Sequence, residues 1–159
     1  DQPHRRRRGA HRNHLRNAPR SQEGRRLLSA AETGPEDRRE PSIRVIMMPK
    51  DTNAHGTIFG GVILSFIDQA GAVEAKRHGA DFLVTVAMRE VVFHEPVYVG
   101  DLVSFYTRLV RIGKTSITVS VEVFSQTREG VGNRVRVTEA EVTYVNLDKN
   151  RRPTALLPK

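Results

Sequence analysis

The stretch Met48–Asp68, MPKDTNAHGTIFGGVILSFID, decides how the rest of the chain is interpreted. A polar, turn-prone loop leads to the pair Gly60-Gly61, and an apolar run then leads to a single acid, Asp68. A glycine pair at the start of a helix lets backbone N–H groups come close to a ligand. Core packing does not require an acid in the run that follows. The stretch therefore predicts a buried helix that carries a reaction site.

The apolar residues of this region repeat at helical spacing. They recur every three or four positions from Phe59 to about His78, before Gly79, which is a helix-stopping residue. The repeat is carried by Val62, Phe66, Ala70 and Val73, with Ile63 and Ile67 beside them. A helix that is apolar on more than one face is typically buried, so we expect a sheet to wrap around it.

Five β-rich segments accompany the helix. The first, at 42–48, precedes the loop at 49–56, and the other four follow the helix, separated by turn residues: Leu83–Phe93, Leu102–Ile112, Ser116–Phe124 and Arg134–Asn146. The alternation of the last segment changes phase, which predicts a β-bulge near Thr138. With no βαβ alternation after the first crossover, the predicted class is α+β: one antiparallel sheet of about five strands around a long central helix.

The charge divides the chain into three predicted regions. The formal net charge is +8, and residues 1–40 hold eleven Arg, six acids and no aromatic residue. We predict a disordered Arg-rich extension at 1–40, a globular domain at 41–147 and a C-terminal tail at 148–159. The extension either contacts nucleic acid or anionic lipid or has no role in the domain. We favour the second interpretation because no aromatic residues alternate with the basic ones.

The composition excludes several kinds of site. The chain has no cysteine, so disulfides, thiolate metal sites and cysteine nucleophiles are absent. No apolar run reaches the ~18 residues of a membrane span, which favours a soluble, cytoplasmic protein. Histidine-rich metal spacing, a G-x-S-x-G elbow and a complete phosphate-binding P-loop are also absent from the sequence.

Several motifs, in one order, resemble the YciA-like acyl-CoA thioesterases of the hotdog superfamily, which are related to the animal cytosolic acyl-CoA hydrolases. The motifs are DTNAHGTIFGG at 51–61, SFID at 65–68, VTVAM at 84–88, VGD at 99–101 and GKTSITVSVEV at 113–123. The resemblance runs from about Arg44 to Asn146. It implies the hotdog fold and hydrolysis of a fatty acyl-CoA to free acid and CoA, without a metal or an organic cofactor.

The resemblance gives three residues catalytic roles. Asp68 is the general base on water or, alternatively, the nucleophile. Asn53 orients the water or the thioester, and the N–H group of Gly61 stabilises the oxyanion. Each has a structural alternative: an acid held by a hydrogen bond or by an arginine such as Arg89, an Asx turn at Asn53, and a tight turn at the glycine pair.

Other residues are candidates for contacts with the substrate. They lie beside the glycine pair, in the second β segment and in a basic hairpin that suits the phosphates of CoA: Phe59, Gly60, Thr85, Arg111, Gly113, Lys114, Thr115 and Ser116. An ordinary solvated hairpin is the alternative for the last five. His55 and His94 are expected to be bystanders.

The resemblance also implies an assembly, because the Asn and the Asp of one site come from different subunits in the family. A homodimer is then the minimum unit, and a trimer of dimers is the larger assembly. Two other functions were weighed: a non-catalytic acyl-CoA-binding regulator whose basic arm contacts nucleic acid, and a hydratase or dehydratase of the same fold. Asn53 and Asp68 argue against the first, and the lack of a convincing acid and histidine pair argues against the second.

Overall fold

The computed structural model describes residues 39–127 and 133–156. They form the elements β1 (Ile43–Ile46), α1 (Gly60–Arg77), β2 (Leu83–Phe93), β3 (Leu102–Ile112), β4 (Ser116–Gln126) and β5 (Arg134–Asn146), with a 3₁₀ turn at Pro49–Asp51. The predicted ends of α1 differ by one residue each, and those of β2, β3 and β5 agree. Nearly all of the predicted extension at 1–40 lies outside the described residues, as do the last three residues of the predicted tail.

The five strands make one antiparallel sheet in the order β1-β3-β4-β5-β2. β1 and β2 are therefore its edges. β1 is shorter than predicted. Met47 still donates to the carbonyl of Asp101 at 3.0 Å and accepts from the N–H of Gly100 at 2.8 Å, and Pro49 then opens the 3₁₀ turn. Proline has no N–H group, so it cannot continue the ladder.

The core lies between α1 and the inner face of β3, β4 and β5. Ile63, Ile67 and Ala70 of the helix are fully buried against the alternating valines of β4 and against Val142 and Tyr144 of β5. Each large apolar side chain buried in this way stabilises the fold by roughly 1.5–3 kcal/mol before entropy is counted. The predicted α+β architecture, one sheet around one helix, is confirmed.

The bulge predicted near Thr138 is confirmed by the pairing of β4 with β5. Val123 pairs with Thr138, but the next residue, Phe124, pairs with Arg136, so Val137 is the extra residue of β5. Beyond the bulge, every second residue of β5 faces the helix, which buries Ala140, Val142 and Tyr144. The bulge thus determines which β5 side chains reach α1.

Candidate active site

Asp68 lies on α1 at about two helical turns from Gly61. Its side chain is half-buried, and its Oδ1 atom accepts a hydrogen bond of 2.6 Å from Oγ1 of Thr85 on β2. The structural alternative of a hydrogen-bonded acid is therefore observed. Within residues 39–127 and 133–156, Asp68 forms no ion pair with Arg89 or any other cation.

A second strand, β5, contacts the backbone of Asp68. The hydroxyl of Tyr144, on β5, donates to the carbonyl oxygen of Asp68 at 2.6 Å. Thr85 and Tyr144 are direct partners in the pairing of β2 with β5. One cross-strand pair therefore holds Asp68 at both its carboxylate and its backbone.

The hydroxyl of Tyr144 stays protonated near neutral pH. The side chain is 1% exposed, and this burial raises the pKa of the hydroxyl well above its usual value. The side chain of Asp68 raises the pKa further through its negative charge and its hydrogen-bond interaction with the hydroxyl, while the backbone of Ala72 acts in the opposite direction. Tyr144 is therefore a neutral hydrogen-bond donor.

Gly71 makes room for this contact. A Cβ atom at position 71 would overlap the hydroxyl oxygen of Tyr144 and crowd its ring. Neither Tyr144 nor Gly71 is among the site residues predicted from the sequence. Two features of the sequence could have identified them: a glycine in the middle of the helix, three residues after Asp68, and an aromatic residue at an inward-facing position of β5.

The glycine pair forms the first turn of α1. In the described part of the chain, the N–H groups of Gly60 and Gly61 donate no hydrogen bond, and no side chain caps the helix. Such first-turn donors carry the positive end of the helix dipole. The ring of Phe59 lies beside Gly61 and is 58% exposed, and the ring of Phe93 lies beside Gly60. The two N–H groups are free to bind an anionic or polarised oxygen.

A cavity of about 350 Å³ opens beside this helix start. It is lined by the residues that enter α1, by Ile63 and by the loop 93–97, which includes His94. A larger cavity of about 580 Å³ lies elsewhere, between the α1–β2 connection, the end of β5 and residues 147–155. Only the first adjoins the glycine pair.

Asn53 adopts the Asx turn that was its structural alternative. Its Oδ1 atom accepts hydrogen bonds from the backbone N–H groups of His55 at 2.8 Å and Thr57 at 3.3 Å. Its Nδ2 atom donates to Oγ1 of Thr57 at 2.8 Å. An amide nitrogen has two hydrogens, and the second has no partner among the described residues. Asn53 forms no hydrogen bond with Asp68 of the same chain.

The basic hairpin joins β3 to β4 and is closed by a 2.7 Å bond from the N–H of Gly113 to the carbonyl of Ser116. The next residue, Ile117, lies in one row with Tyr144 and Thr85 across three neighbouring strands. At ~4.8 Å per strand, this row places the hairpin about 10 Å from Thr85. The charged side chains of Arg111 and Lys114 are exposed and form no ion pair with any described residue. The structure does not bring the hairpin into contact with Asp68.

The described residues include no helix that is long and apolar enough to cross a membrane. They also contain no cluster of three or more histidine and acidic side chains arranged to hold a metal ion.

A family model described as the thioesterase superfamily matches residues 55–132. Among curated proteins, an acyl-CoA thioester hydrolase of Zymomonas mobilis is 42% identical over 75% of this chain and 79% of its own length. The acyl-CoA thioester hydrolase YciA of Escherichia coli is 41% identical over 72% of this chain and 88% of its own length.

Solved structures give the same result. A hexameric hotdog-fold thioesterase of Campylobacter jejuni superposes with a TM-score of 0.70 at 43% identity, covering 74% of this chain and 90% of that one. A hexameric thioesterase of Yersinia pestis superposes with a TM-score of 0.71 at 40% identity, covering 77% of this chain and 98% of that one. The hotdog fold expected from the motifs is confirmed.

Proposed function

This chain belongs to the YciA-like acyl-CoA thioester hydrolases of the thioesterase superfamily, and we propose that it hydrolyses fatty acyl-CoA to a free acid and CoA through Asp68. The protein is a thioester hydrolase. The observation that carries the assignment to Asp68 is its 2.6 Å hydrogen bond with Thr85. Asp68 also lies on the helix whose first-turn N–H groups are unpaired. An oriented carboxylate and free donors are the two parts that acyl transfer to water needs.

Asp68 acts as general base in this mechanism. Thr85 occupies the Oδ1 atom, whereas Oδ2 accepts no hydrogen bond within the described part of the chain. Oδ2 is therefore available to a water molecule, which attacks the carbonyl carbon of the thioester as Asp68 takes its proton. When the tetrahedral intermediate collapses, the C–S bond breaks, and CoA leaves as a thiolate that is then protonated.

Gly61 is the proposed oxyanion donor. Its free N–H lies at the positive end of the α1 dipole. As the carbonyl oxygen becomes an oxyanion, a hydrogen bond from this N–H group stabilises the added charge. Gly60 and Phe59 border the same position, and the cavity of about 350 Å³ beside it offers space for part of the substrate. Arg111 and Lys114 are the proposed contacts for the CoA phosphates.

Direct attack by Asp68 is the alternative mechanism, and it gives an anhydride of the acyl group and Asp68. A single turnover in water labelled with oxygen-18 detects an anhydride that water opens at the carboxyl carbon of Asp68. With Asp68 as general base, the label enters the fatty acid product alone. Label in the Asp68 carboxylate, detected by mass spectrometry of its peptide, would instead establish the anhydride.

A homodimer is the proposed minimum unit, with Asn53 of one subunit serving Asp68 of the other. Three observations support this division. Asn53 does not bind Asp68 of its own chain, and one hydrogen of its amide has no partner among the described residues. Moreover, β2 is an edge strand with exposed apolar side chains. The hexameric relatives support a larger assembly of such dimers. Cofactor-independent hydrolysis and a cytoplasmic location stay predictions.

The test is release of free thiol from short, medium and long acyl-CoAs. Asp68→Asn keeps the size of the side chain but removes its basicity, so we expect kcat to fall by about 100-fold or more. Asp81→Asn is a matched control, because Asp81 is an exposed acid just beyond the same helix, and its activity should equal that of the wild type. Full activity of Asp68→Asn would refute the role of Asp68. A wild type that binds acyl-CoA without releasing thiol would refute the hydrolase function itself.

A further inference from the structure

Tyr144 touches the proposed catalytic acid, yet no step of the mechanism above uses it. Its hydroxyl lies 2.6 Å from the carbonyl oxygen of Asp68, and its side chain is 1% exposed. Its partner across the sheet, Thr85, binds the carboxylate of the same residue. The two contacts reach Asp68 from neighbouring strands and at different atoms.

Packing alone does not account for this arrangement. A phenylalanine would fill nearly the same space without burying a hydroxyl that needs a partner. The hydroxyl also requires glycine at position 71, since a Cβ atom there would overlap it. Glycine is less favourable than alanine in the middle of a helix. The chain therefore contains a buried hydroxyl and a helix-weakening glycine at one point, and both features make the hydrogen bond to Asp68 possible.

The hydrogen bond from Tyr144 controls the orientation of the Asp68 carboxylate. Successive helical residues differ by about 100° in direction. The side chain of Asp68 therefore contacts β2 only at one rotational orientation of α1 about its axis. Tyr144 attaches the backbone of α1 to β5 at Asp68 itself, so it fixes this rotation where the carboxylate leaves the helix. In this orientation Thr85 donates its hydrogen bond to Oδ1, and the direction of Oδ2 is fixed as well.

We propose that Tyr144 is a positioning residue for thioester hydrolysis: its hydroxyl fixes the backbone of Asp68 so that the carboxylate stays on Thr85 with its second oxygen toward the attacking water. This inference rests on the proposed function. Tyr144 itself contacts neither substrate nor reacting atoms. Its removal therefore affects the chemical step and leaves substrate binding nearly unchanged.

Tyr144→Phe is the first test, because it removes one oxygen atom and keeps the ring. We expect kcat for acyl-CoA hydrolysis to fall about tenfold, since small displacements of a catalytic group are costly, and KM to stay within about twofold. Tyr106→Phe is the matched control. Tyr106 is also buried in the sheet, at 5% exposure, but its ring packs against Phe124, away from Asp68. Wild-type kcat in Tyr144→Phe would overturn the proposal.

A double-mutant cycle with Thr85→Val gives a readout that a purely structural role would not move. If both hydroxyls orient the same carboxylate, the combined loss in kcat is smaller than the product of the two single losses. If they act independently, the losses multiply, and the positioning role is refuted. Thermal unfolding of each variant shows whether the protein assayed is folded.

Gly71→Ala/Tyr144→Phe keeps the proposal testable if Tyr144→Phe is poorly folded. Without the hydroxyl, a Cβ atom at position 71 loses its closest contact, and alanine strengthens the helix. We expect this double variant to be folded and still about tenfold slow in kcat. Recovery of wild-type kcat would overturn the role of the hydroxyl. Failure of the proposed function is distinguishable, since the wild type itself would then release no thiol.

Discussion

Gly71 lies where the backbone of α1 approaches β5 closely. The atom that a side chain at this position would meet first is the hydroxyl oxygen of Tyr144, and the ring carbons follow at 3.1 and 3.2 Å. Tyr144 is fully buried on β5, which has a neighbouring strand on each side. The close approach and the hydrogen bond to Asp68 are therefore one structural feature, and they respond together to substitution.

Gly71→Ala should destabilise the protein although alanine is the better helix former. We expect overpacking to shift the ring of Tyr144 and to lower the free energy of unfolding by about 1–3 kcal/mol. The higher helix propensity of alanine offsets roughly 0.5–1 kcal/mol of this loss. In a Tyr144→Phe background the loss should shrink to less than about half, since the closest atom is gone. Urea unfolding at one protein concentration measures both.

Gln69→Ala is the control for Gly71→Ala, because Gln69 is an exposed residue of the same helix. Its effect should stay within about 0.5 kcal/mol. Equal losses for Gly71→Ala with and without the Tyr144 hydroxyl would contradict the close approach described above.

The second half of α1 is attached to the sheet by a buried acid. Glu74 is 9% exposed, and its carboxylate lies 2.9 Å from Nη1 of Arg77 and 3.0 Å from Nε2 of His78. It also accepts a hydrogen bond of 3.1 Å from Thr107 on β3. Burial by itself raises the pKa of Glu74, but the hydrogen bonds from His78, Thr107 and Arg77 outweigh it, so the pKa lies below 4.5.

The lowered pKa of Glu74 predicts an acid-sensitive share of the stability. The folded state binds the proton of this residue less tightly than the unfolded state, so the contribution is complete above the unfolded value near 4.5 and decreases as the pH falls through the folded value. Glu74→Gln should therefore lower the free energy of unfolding by about 1–2 kcal/mol at pH 7. Below pH 4.5 the difference from the wild type should narrow.

Urea unfolding at several pH values between 7 and 3 measures this difference. Glu95→Gln changes an exposed acid in the same way, and it should follow the wild type throughout. A gap between Glu74→Gln and the wild type that stays constant with pH would contradict the lowered pKa.

The elements were predictable from the sequence because local residues determine them. Gly79 follows the end of α1, Gly113 separates β3 from β4, and the change of phase in β5 predicted a bulge near Thr138, next to the extra residue Val137. The contacts of Asp68 were not predictable in the same way. They depend on the pairing of Thr85 with Tyr144 and on the rotation of α1 against the sheet, which result from the packing of distant segments.

The site residues show the same division. Asp68, Asn53 and the glycine pair were found through motifs, which lie within one short stretch of the chain. Thr85 was predicted to contact the substrate, which stays a prediction, and the hydrogen bond from its hydroxyl to Asp68 was not foreseen. A hydroxyl in a strand does not reveal from sequence alone which neighbour it meets, because the neighbour belongs to another element.

At the scale of the whole molecule, the sheet has an exposed apolar edge at β2. The outer side of β2 has no partner strand among the described residues, and its exposed apolar side chains include Val84, Val86, Val92 and Phe93. Phe59, just before α1, and Val73, on α1, are exposed as well. An exposed apolar edge strand is a surface on which a second strand can pair. A second copy of the chain would cover this edge and bring its own loop and helix toward Asp68.

A mixing experiment tests whether Asn53 and Asp68 of one site come from different subunits. The inactive variants Asn53→Ala and Asp68→Asn are co-expressed in equal amounts, and half of the dimers formed are mixed. With a shared site, each mixed dimer has one site with both substitutions and one intact site, so about a quarter of the wild-type activity returns.

Two outcomes decide the matter. If both residues of a site come from one chain, every site of a mixed dimer carries one substitution, and no activity returns although the mixed dimer is present in the purified sample. As a control, Asp68→Asn co-expressed with the double variant Asn53→Ala/Asp68→Asn contains no intact Asp68 and should stay inactive in either case. Recovery in the first mixture alone would establish that the loop of one chain and the helix of the other together make the site, because the only complete pair of Asn53 and Asp68 then spans two subunits.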